Sequence, residues 1–260
     1  MKLSEKFNSL KMKDEGALIT YICAGDPSQD LTKRFVKALV EGGADIVELG
    51  LPSSDPLADG PTIQAASQRA LLDGMNTDRY FELVSEISNT YTTIPFVCMT
   101  YYNLILQRGL KRFAKNCTDS GICGLIVPDL PVEESKILLD ICLDCDIDYI
   151  FLITPTSTDE RIEMILEQGS GFLYLVSRVG VTGVKMDISE STKEILSRVE
   201  TDIPKAVGFG ISTGMQAKEI IQNGADGVIV GSALVDIIAS NDDVEGRLKK
   251  LAIELKSGCI

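Results

Sequence analysis

Short apolar runs recur along the chain, and each is followed by a polar loop and then by an amphipathic segment. The runs are rich in Val, Ile and Leu, as expected of strands, whereas the amphipathic segments have the spacing of helices. The runs predicted to be strands are 17–25, 44–52, 94–103, 123–131, 148–155, 171–180, 203–212 and 226–235. The segments predicted to be helices include 28–43, 78–88, 133–145, 159–170, 190–199 and 217–224, with another before the first strand and a last one over 242–258.

The order of these elements predicts the fold class. The eight runs are apolar nearly throughout, which indicates strands that are buried on both faces, as in a parallel sheet covered by helices. Eight strand–helix units in 260 residues are typical of an α/β protein of the (β/α)8 TIM barrel type, here with an extra N-terminal helix. A doubly wound open sheet is the alternative, but it usually carries a dinucleotide-binding fingerprint, which we do not find. Since no linker interrupts the pattern, we predict that residues 1–260 form a single barrel domain.

Charge and composition exclude several classes of protein. A net charge of −13 argues against binding to nucleic acid, because phosphate backbones require clustered Lys and Arg. No apolar run approaches the length of a membrane span, and residues 1–16 are polar, without the apolar core of a signal peptide. The seven cysteines are an odd number in a large chain, which indicates reduced thiols. We therefore expect a cytoplasmic protein that has no membrane partner.

Histidine is absent from the sequence. Its absence excludes Ser–His–Asp triads and His-ligated zinc, and it leaves Asp, Glu, Tyr, Lys and Cys to carry any proton transfer. Cys142 and Cys145 form a C-x-x-C pattern inside a predicted helix. We interpret them as packing residues rather than as a redox or metal site, because no second pair or histidine completes such a site.

The stretch 48–64, ELGLPSSDPLADGPTIQ, places carboxylates at the end of the second predicted strand. The active site of a TIM barrel lies at the C-terminal ends of its strands. An ionised carboxylate is costly to bury without a partner, so an inward-facing Glu48 is a candidate general acid and base with a pKa raised by desolvation. The alternative for Glu48 is a strand residue that faces a helix and is paired there.

Asp59 and Tyr174 are further candidates for the same pocket. Asp59 lies in a loop that could lean over the pocket and accept a substrate N–H; the alternative is an ordinary turn aspartate before a glycine. Asp55 and Asp59 could instead hold Mg²⁺ with Glu48, but such sites usually share substrate phosphates, so we predict no metal site. Tyr174 alternates with leucines in the sixth predicted strand, and it either fills the barrel or points its hydroxyl at the site.

Glycines at the ends of the last three predicted strands indicate a phosphate site. Gly210, Gly231 and Ser232 lie at the C-terminal ends of the last two predicted runs, and Gly183 lies just after the sixth. Glycine lets the backbone approach an oxyanion closely and present N–H groups to it. Phosphate sites of TIM barrels often use the loops after strands seven and eight together with a helix N-terminus. We therefore predict a phosphorylated small-molecule substrate.

Several motifs occur in an order that resembles one family. The stretch 48–64, together with AGDP, PDLP, YLVSRVGVTG, GFGIS and GSALV, is similar to the tryptophan synthase α subunit family across nearly the whole chain. The resemblance implies a lyase of tryptophan biosynthesis, an aromatic amino-acid pathway. It also implies a retro-aldol cleavage of indole-3-glycerol phosphate to indole and glyceraldehyde 3-phosphate, without a cofactor or metal in this subunit.

The resemblance also assigns residues. It places the catalytic glutamate at Glu48, for proton transfer, and an indole-anchoring aspartate at Asp59. The substrate-binding positions of the family fall on Tyr21, Tyr101, Tyr174, Thr182, Gly183, Phe209, Gly210, Gly231 and Ser232.

A partner is implied as well. In the family, a β subunit that carries pyridoxal phosphate receives indole through a tunnel, usually in an α₂β₂ heterotetramer. The loops that carry Asp55, Asn103 and Asp129 are expected at this contact.

Two departures from the family pattern support an alternative function. Ser53 stands where the family commonly has Phe, and Tyr102 is bulkier than the small residue expected there. Because the loss of an aromatic side chain can loosen a packed loop, a weakly active or inactive α-type subunit that mainly binds and activates a β subunit is the alternative. A further alternative is another phosphate-binding barrel that acts on a sugar phosphate.

Overall fold

Parallel strands curve into a nearly closed barrel at the centre of the structure. The structure is a computed structural model that describes residues 1–176, 188–208 and 210–260, without the side chains of 188–191. Within these residues the strands are β1 (Ala17–Cys23), β2 (Ile46–Gly50), β3 (Phe96–Met99), β4 (Ile122–Ile126), β5 (Asp148–Ile150), β6 (Leu152–Ile153), β7 (Leu173–Val176), β8 (Lys205–Gly208) and β9 (Gly227–Val230). Each of the eight predicted runs contains a strand, which confirms the barrel.

The fifth predicted strand, 148–155, is divided into β5 and β6 at Phe151. The sheet has the order β5-β4-β3-β2-β1-β9-β8-β7-β6. β5 pairs with β4 and β6 pairs with β7, so the two halves of one chain segment hydrogen-bond to opposite ends of the sheet. The barrel is therefore continuous except at this residue.

Helices cover the outside of the barrel. Within the described residues they are α1 (Leu3–Lys11), α2 (Gln29–Glu41), α3 (Pro61–Leu72), α4 (Thr77–Thr90), α5 (Tyr102–Arg108), α6 (Leu110–Asp119), α7 (Lys136–Asp144), α8 (Asp159–Gln168), α9 (Ile188–Ser197), α10 (Gly214–Gln222), α11 (Ser232–Ala239) and α12 (Val244–Gly258). A 3₁₀ turn, Val132–Glu134, precedes α7. None of the described helices is long and apolar enough to cross a membrane.

Two of the predicted strands extend into a helix. The third run ends as a strand at Met99, and α5 begins at Tyr102. The eighth run ends as a strand at Val230, and α11 begins at Ser232. In the second case only Gly231 separates the strand from the helix, and the apolar residues on either side of Gly231 and Ser232 form one predicted run.

The N-terminal mouth of the barrel is closed by α1. Leu3, Phe7 and Leu10 are buried against inward-facing residues of the barrel strands. The ring centroids of Phe7 and Phe172 are 5.8 Å apart. Apolar packing fills this end, which leaves the C-terminal ends of the strands as the open end of the barrel.

The cysteines lie mostly in the core. All seven are free, and Cys142 is buried on α7 while Cys145 at its end is partly exposed. The interpretation of the C-x-x-C pair as packing residues agrees with these positions.

Candidate active site

A cavity of about 890 Å³ opens at the C-terminal ends of the strands. Parallel strands alternate their side chains between the barrel interior and the helices, so every second residue of a strand faces inward, and those near the C-terminal ends reach this cavity. Among the described residues, the predicted site residues that line it are Tyr21, Glu48, Asp59, Asp129, Tyr174, Gly210, Gly231 and Ser232. Residues far apart in sequence are thus brought to one pocket. Thr182, Gly183 and Phe209 lie outside the described residues.

Glu48 lies at the bottom of the cavity, in the middle of β2. It is in register with Tyr21 of β1 and with Val97 of β3. The residue is 1% exposed, and its Oε2 atom is buried without a hydrogen-bond partner among the described residues. Burial, and secondarily the charge of Asp59, raise the pKa of this carboxyl to about 8. Near neutral pH the carboxyl therefore keeps its proton and can donate it.

Asp59 lines the same cavity, from the loop between β2 and α3. Its Oδ2 accepts a hydrogen bond of 3.0 Å from the Tyr101 hydroxyl, and the Ala58 N–H donates to the same hydroxyl at 3.0 Å. Burial raises the pKa of the Asp59 carboxyl to about 6, and the bond from Tyr101 opposes this rise. Asp59 is thus ionised at neutral pH while Glu48 is protonated, an arrangement that gives two carboxyl groups different roles.

We expect the variant Tyr101→Phe to raise the pKa of Asp59 above about 6, because it removes the hydroxyl that stabilises the carboxylate. The measurement is an NMR titration of the Asp59 carboxyl carbon in the ligand-free protein. Tyr91→Phe, at the end of α4, makes the same change outside the site and is the control. An identical Asp59 titration in Tyr101→Phe and wild type contradicts the role given to this bond.

Two tyrosines flank the carboxyl groups inside the barrel. Tyr21 and Tyr174 both line the cavity, and burial raises the pKa of both phenols well above their ordinary value. Their hydroxyls therefore stay protonated, and their rings give the pocket flat apolar walls. Tyr101 does not line the cavity directly but contacts it through Asp59.

Glycines lie at the other end of the cavity. Gly210 follows β8 with a φ of +79°, a conformation that favours glycine. Gly231 and Ser232 form the N-terminus of α11, where no side chain caps the helix. The first N–H groups of a helix lack intrahelical partners and favour an anion. This corner of the pocket can therefore hold a phosphate.

The three residues predicted at a partner contact lie at the C-terminal end of the barrel, around the opening of the cavity. Asp55 and Asn103 are exposed, whereas the Asp129 carboxylate accepts the N–H of Tyr102 at 2.9 and 3.2 Å. Asp129 therefore also fixes the start of α5.

Ser53, which departs from the family pattern, is packed into the base of the loop. It is 3% exposed, and its hydroxyl accepts a hydrogen bond of 3.2 Å from the Asp55 N–H. The serine therefore supplies a polar turn contact at a position where an aromatic ring is expected.

Some residues of the site were not predicted. Gln64 of α3 donates a hydrogen bond of 2.8 Å from Nε2 to the backbone oxygen of Asp59. The apolar wall of the cavity includes Met99, Ile126, Leu152 and Ile229. Counting every second residue along the predicted strands would have found this wall, but no local pattern indicates the Gln64 bond. Within the described residues, no group of three or more His, Cys, Asp or Glu side chains is arranged to hold a metal ion.

Comparisons with known proteins agree on one family. Residues 7–258 match the family model described as "Tryptophan synthase alpha chain". The tryptophan synthase alpha chain of Methanosarcina barkeri is 61% identical over 257 residues, which cover 99% of this chain and 97% of that protein. That of Methanosarcina acetivorans is 60% identical over 259 residues, 100% of this chain and 94% of the other.

Solved structures show the same likeness. A structure of Mycobacterium tuberculosis tryptophan synthase has a TM-score of 0.90 and 39% identity, and the match covers 99% of this chain and 97% of that one. Tryptophan synthase subunit alpha from Legionella pneumophila has a TM-score of 0.90 and 31% identity, with 100% of this chain and 98% of that one covered.

Proposed function

The chain belongs to the tryptophan synthase alpha chain family, lyases of tryptophan biosynthesis, and from this premise we propose that it cleaves indole-3-glycerol phosphate to indole and glyceraldehyde 3-phosphate. The observation that carries the proposal is the pair of carboxyl groups that line one cavity: Glu48 is buried with an unpaired oxygen, and Asp59 accepts a hydrogen bond from Tyr101. Burial raises the pKa of both, and that of Glu48 more. The indole ring would lie between the tyrosine rings and the apolar wall, and the phosphate at the start of α11.

Glu48 carries the proton transfers of this reaction. Cleavage of the bond between indole C3 and the side chain requires a proton on C3 and the loss of a proton from the hydroxyl on the adjoining side-chain carbon. As that hydroxyl becomes the aldehyde, the electrons of the broken bond return to the indole ring. A carboxyl with a pKa of about 8 gives up one proton and takes the other, so it ends the cycle as it began.

Asp59 stabilises the charge that develops on the substrate. Protonation at C3 places positive charge on the indole ring, and a carboxylate that accepts the indole N–H opposes it. Gly210, Gly231 and Ser232 hold the phosphate with backbone N–H groups. Thr182, Gly183 and Phe209 are assigned by the resemblance to closing the loop over the substrate and to the phosphate contacts, and closure would exclude water.

A β subunit is the proposed partner. Leu57, in the loop that carries Asp59, is 79% exposed, and Leu106 on α5 is 53% exposed. Leu57 lies two residues after Asp55, and Leu106 lies three residues after Asn103 on α5. Exposed apolar side chains beside polar residues are typical of a protein contact. The proposal places pyridoxal phosphate in the β subunit and no cofactor in this chain. It further assigns the chain to an α₂β₂ assembly in the cytoplasm, with residues 1–260 as one domain.

The cleavage assay tests this function directly. We expect indole to be released from indole-3-glycerol phosphate by the purified chain, and faster when a matching β subunit is added, because the contact lies on the loop that holds Asp59. Indole release is followed alone and in the complex. A chain that speeds the β reaction but releases no indole in the complex is an activating subunit, and an indole-phosphate analogue that fails to bind while a pentose phosphate binds tightly indicates a sugar-phosphate enzyme. Either result overturns the proposal.

A further inference from the structure

A buried ion pair joins the loop after β1 to α3. The side chain of Asp26, in the AGDP motif, is 0% exposed, and that of Arg69 is 34% exposed. Arg69 donates from Nε to one Asp26 oxygen and from Nη2 to the other, both at 2.7 Å. Burial raises the pKa of Asp26, and Arg69 opposes this rise. A bidentate fork of this kind fixes orientation as well as distance.

α3 packs on the barrel mainly through small side chains, together with a partly buried Ile63. Thr62 also donates a hydrogen bond of 3.2 Å to Asp236 of α11. Its buried residues are Ala66, Ser67 and Ala70, which offer small contact areas. α4, by comparison, buries two aromatic and three aliphatic side chains. Because the apolar area removed from water governs how firmly a helix packs, the polar contact between Asp26 and Arg69 adds substantially to the placing of α3.

α3 in turn carries the loop with Asp59. The helix begins at Pro61, two residues after Asp59. Gln64, on its first turn, holds the Asp59 backbone oxygen at 2.8 Å. A helix is rigid over this length, with a rise of about 1.5 Å per residue, so a tilt at Arg69 moves the loop at the other end.

We propose that Asp26 and Arg69 are positioning residues, which set the place of Asp59 against the substrate through α3. The inference rests on the proposed function, in which Asp59 accepts the indole N–H. Neither residue touches the substrate. Their contribution is the geometry of a carboxylate that must lie within hydrogen-bond reach of the ring.

The test is Arg69→Lys, which keeps the positive charge and loses the two-pronged contact. We expect kcat/KM for cleavage to fall about tenfold, since misplacement by a fraction of an ångström has effects of this order. Binding of glycerol 3-phosphate, which reports only the phosphate end, is expected to stay unchanged. In an Asp59→Asn background Arg69→Lys is expected to cause no further loss, because coupled residues are not additive.

Arg108→Lys is the matched control. Arg108 bonds to Asp78 at 2.8 Å and to Asn116 at 2.6 Å, away from the cavity, and the same substitution there is expected to leave kcat/KM unchanged. The proposal is overturned if the fold-losses in kcat/KM from Arg69→Lys and Asp59→Asn multiply in the double variant. It is also overturned if Arg69→Lys weakens the binding of glycerol 3-phosphate as much as it lowers kcat/KM.

A readout without turnover separates this inference from the proposed function. If Arg69→Lys shifts the loop, the bond from Tyr101 to Asp59 weakens and the pKa of the Asp59 carboxyl rises. The pKa of the Asp59 carboxyl is measured by NMR titration of the ligand-free wild type, Arg69→Lys and Arg108→Lys proteins. An unchanged Asp59 titration in Arg69→Lys overturns the positioning role. A wild-type chain that fails to cleave the substrate, with a shifted titration in Arg69→Lys, overturns the proposed function alone.

Discussion

Glu48→Gln is expected to lower kcat for indole release by a factor of about a hundred or more, the range in which a positioned acid or base contributes. Glutamine has nearly the shape of glutamic acid but cannot transfer a proton. Because the protonated carboxyl of Glu48 is neutral, as the amide is, the substitution preserves the charge of the resting site. Binding of an indole-phosphate analogue is therefore expected to remain measurable and close to that of wild type. Steady-state kinetics and calorimetric titration with the analogue give the two quantities.

Glu163→Gln is the control for this variant. Glu163 lies on α8 with an exposed side chain, so the same chemical change there is expected to leave indole release unaltered. Normal turnover by Glu48→Gln contradicts the assignment of both proton transfers. A loss of turnover together with a loss of analogue binding shows instead that the pocket has been disturbed.

The strands were predictable because burial on two faces leaves a continuous apolar run. Helices without a strong apolar stripe were not. α3 buries only small side chains. α5 and α6 are short helices separated by Gly109, whose φ is +88°. α6 does have an apolar face, with Phe113, Ala114 and Cys117 buried, but no helix is predicted there. An amphipathic pattern is strong when a helix buries large apolar side chains on one face. A helix that packs through alanine and serine, such as α3, therefore shows only a weak pattern in its sequence.

The residues of the site also differ in whether the sequence could predict them. Glu48 could be predicted because a carboxylate inside an apolar strand conflicts with its surroundings. The contacts that tune and place Asp59 could not, since Tyr101 is 42 residues away from it in sequence and Asp26 is 43 residues away from Arg69. Such pairs depend on how strands and loops meet in the barrel, and no local pattern records them.

Glu48→Gln is also expected to stabilise the protein, by an amount that grows with pH. An unfolded Glu side chain titrates near 4.5, whereas Glu48 in the fold titrates at about 8. Below pH 4.5 both states bind the proton and the carboxyl has no effect on stability. Between pH 4.5 and about pH 8, this glutamate is deprotonated in the unfolded chain but keeps its proton in the fold. Wild type therefore loses stability as pH rises through this range. Above pH 8 the loss is complete and constant.

The size of the effect follows from the same two values. At about 1.4 kcal/mol for each tenfold change in proton affinity, the fold loses at most about 5 kcal/mol through Glu48 by pH 9. The neutral glutamine avoids this loss. Urea unfolding at pH 5 and pH 9 is therefore expected to show wild type and variant close together at the lower pH and several kcal/mol apart at the higher one.

Asp59→Asn tests whether the charge of Asp59 contributes to the pH-dependent loss of stability at Glu48. The charge of Asp59 is the second cause of the raised pKa of Glu48, so its removal is expected to lower that pKa and to end the loss of stability at a lower pH. A free-energy difference between Glu48→Gln and wild type that does not change with pH contradicts a protonated Glu48 in the ligand-free fold. The destabilisation would then lie in packing, and the carboxyl would have no proton to give to indole C3 at neutral pH. The unfolding experiment thus tests, without any substrate, the protonation state on which the proposed chemistry depends.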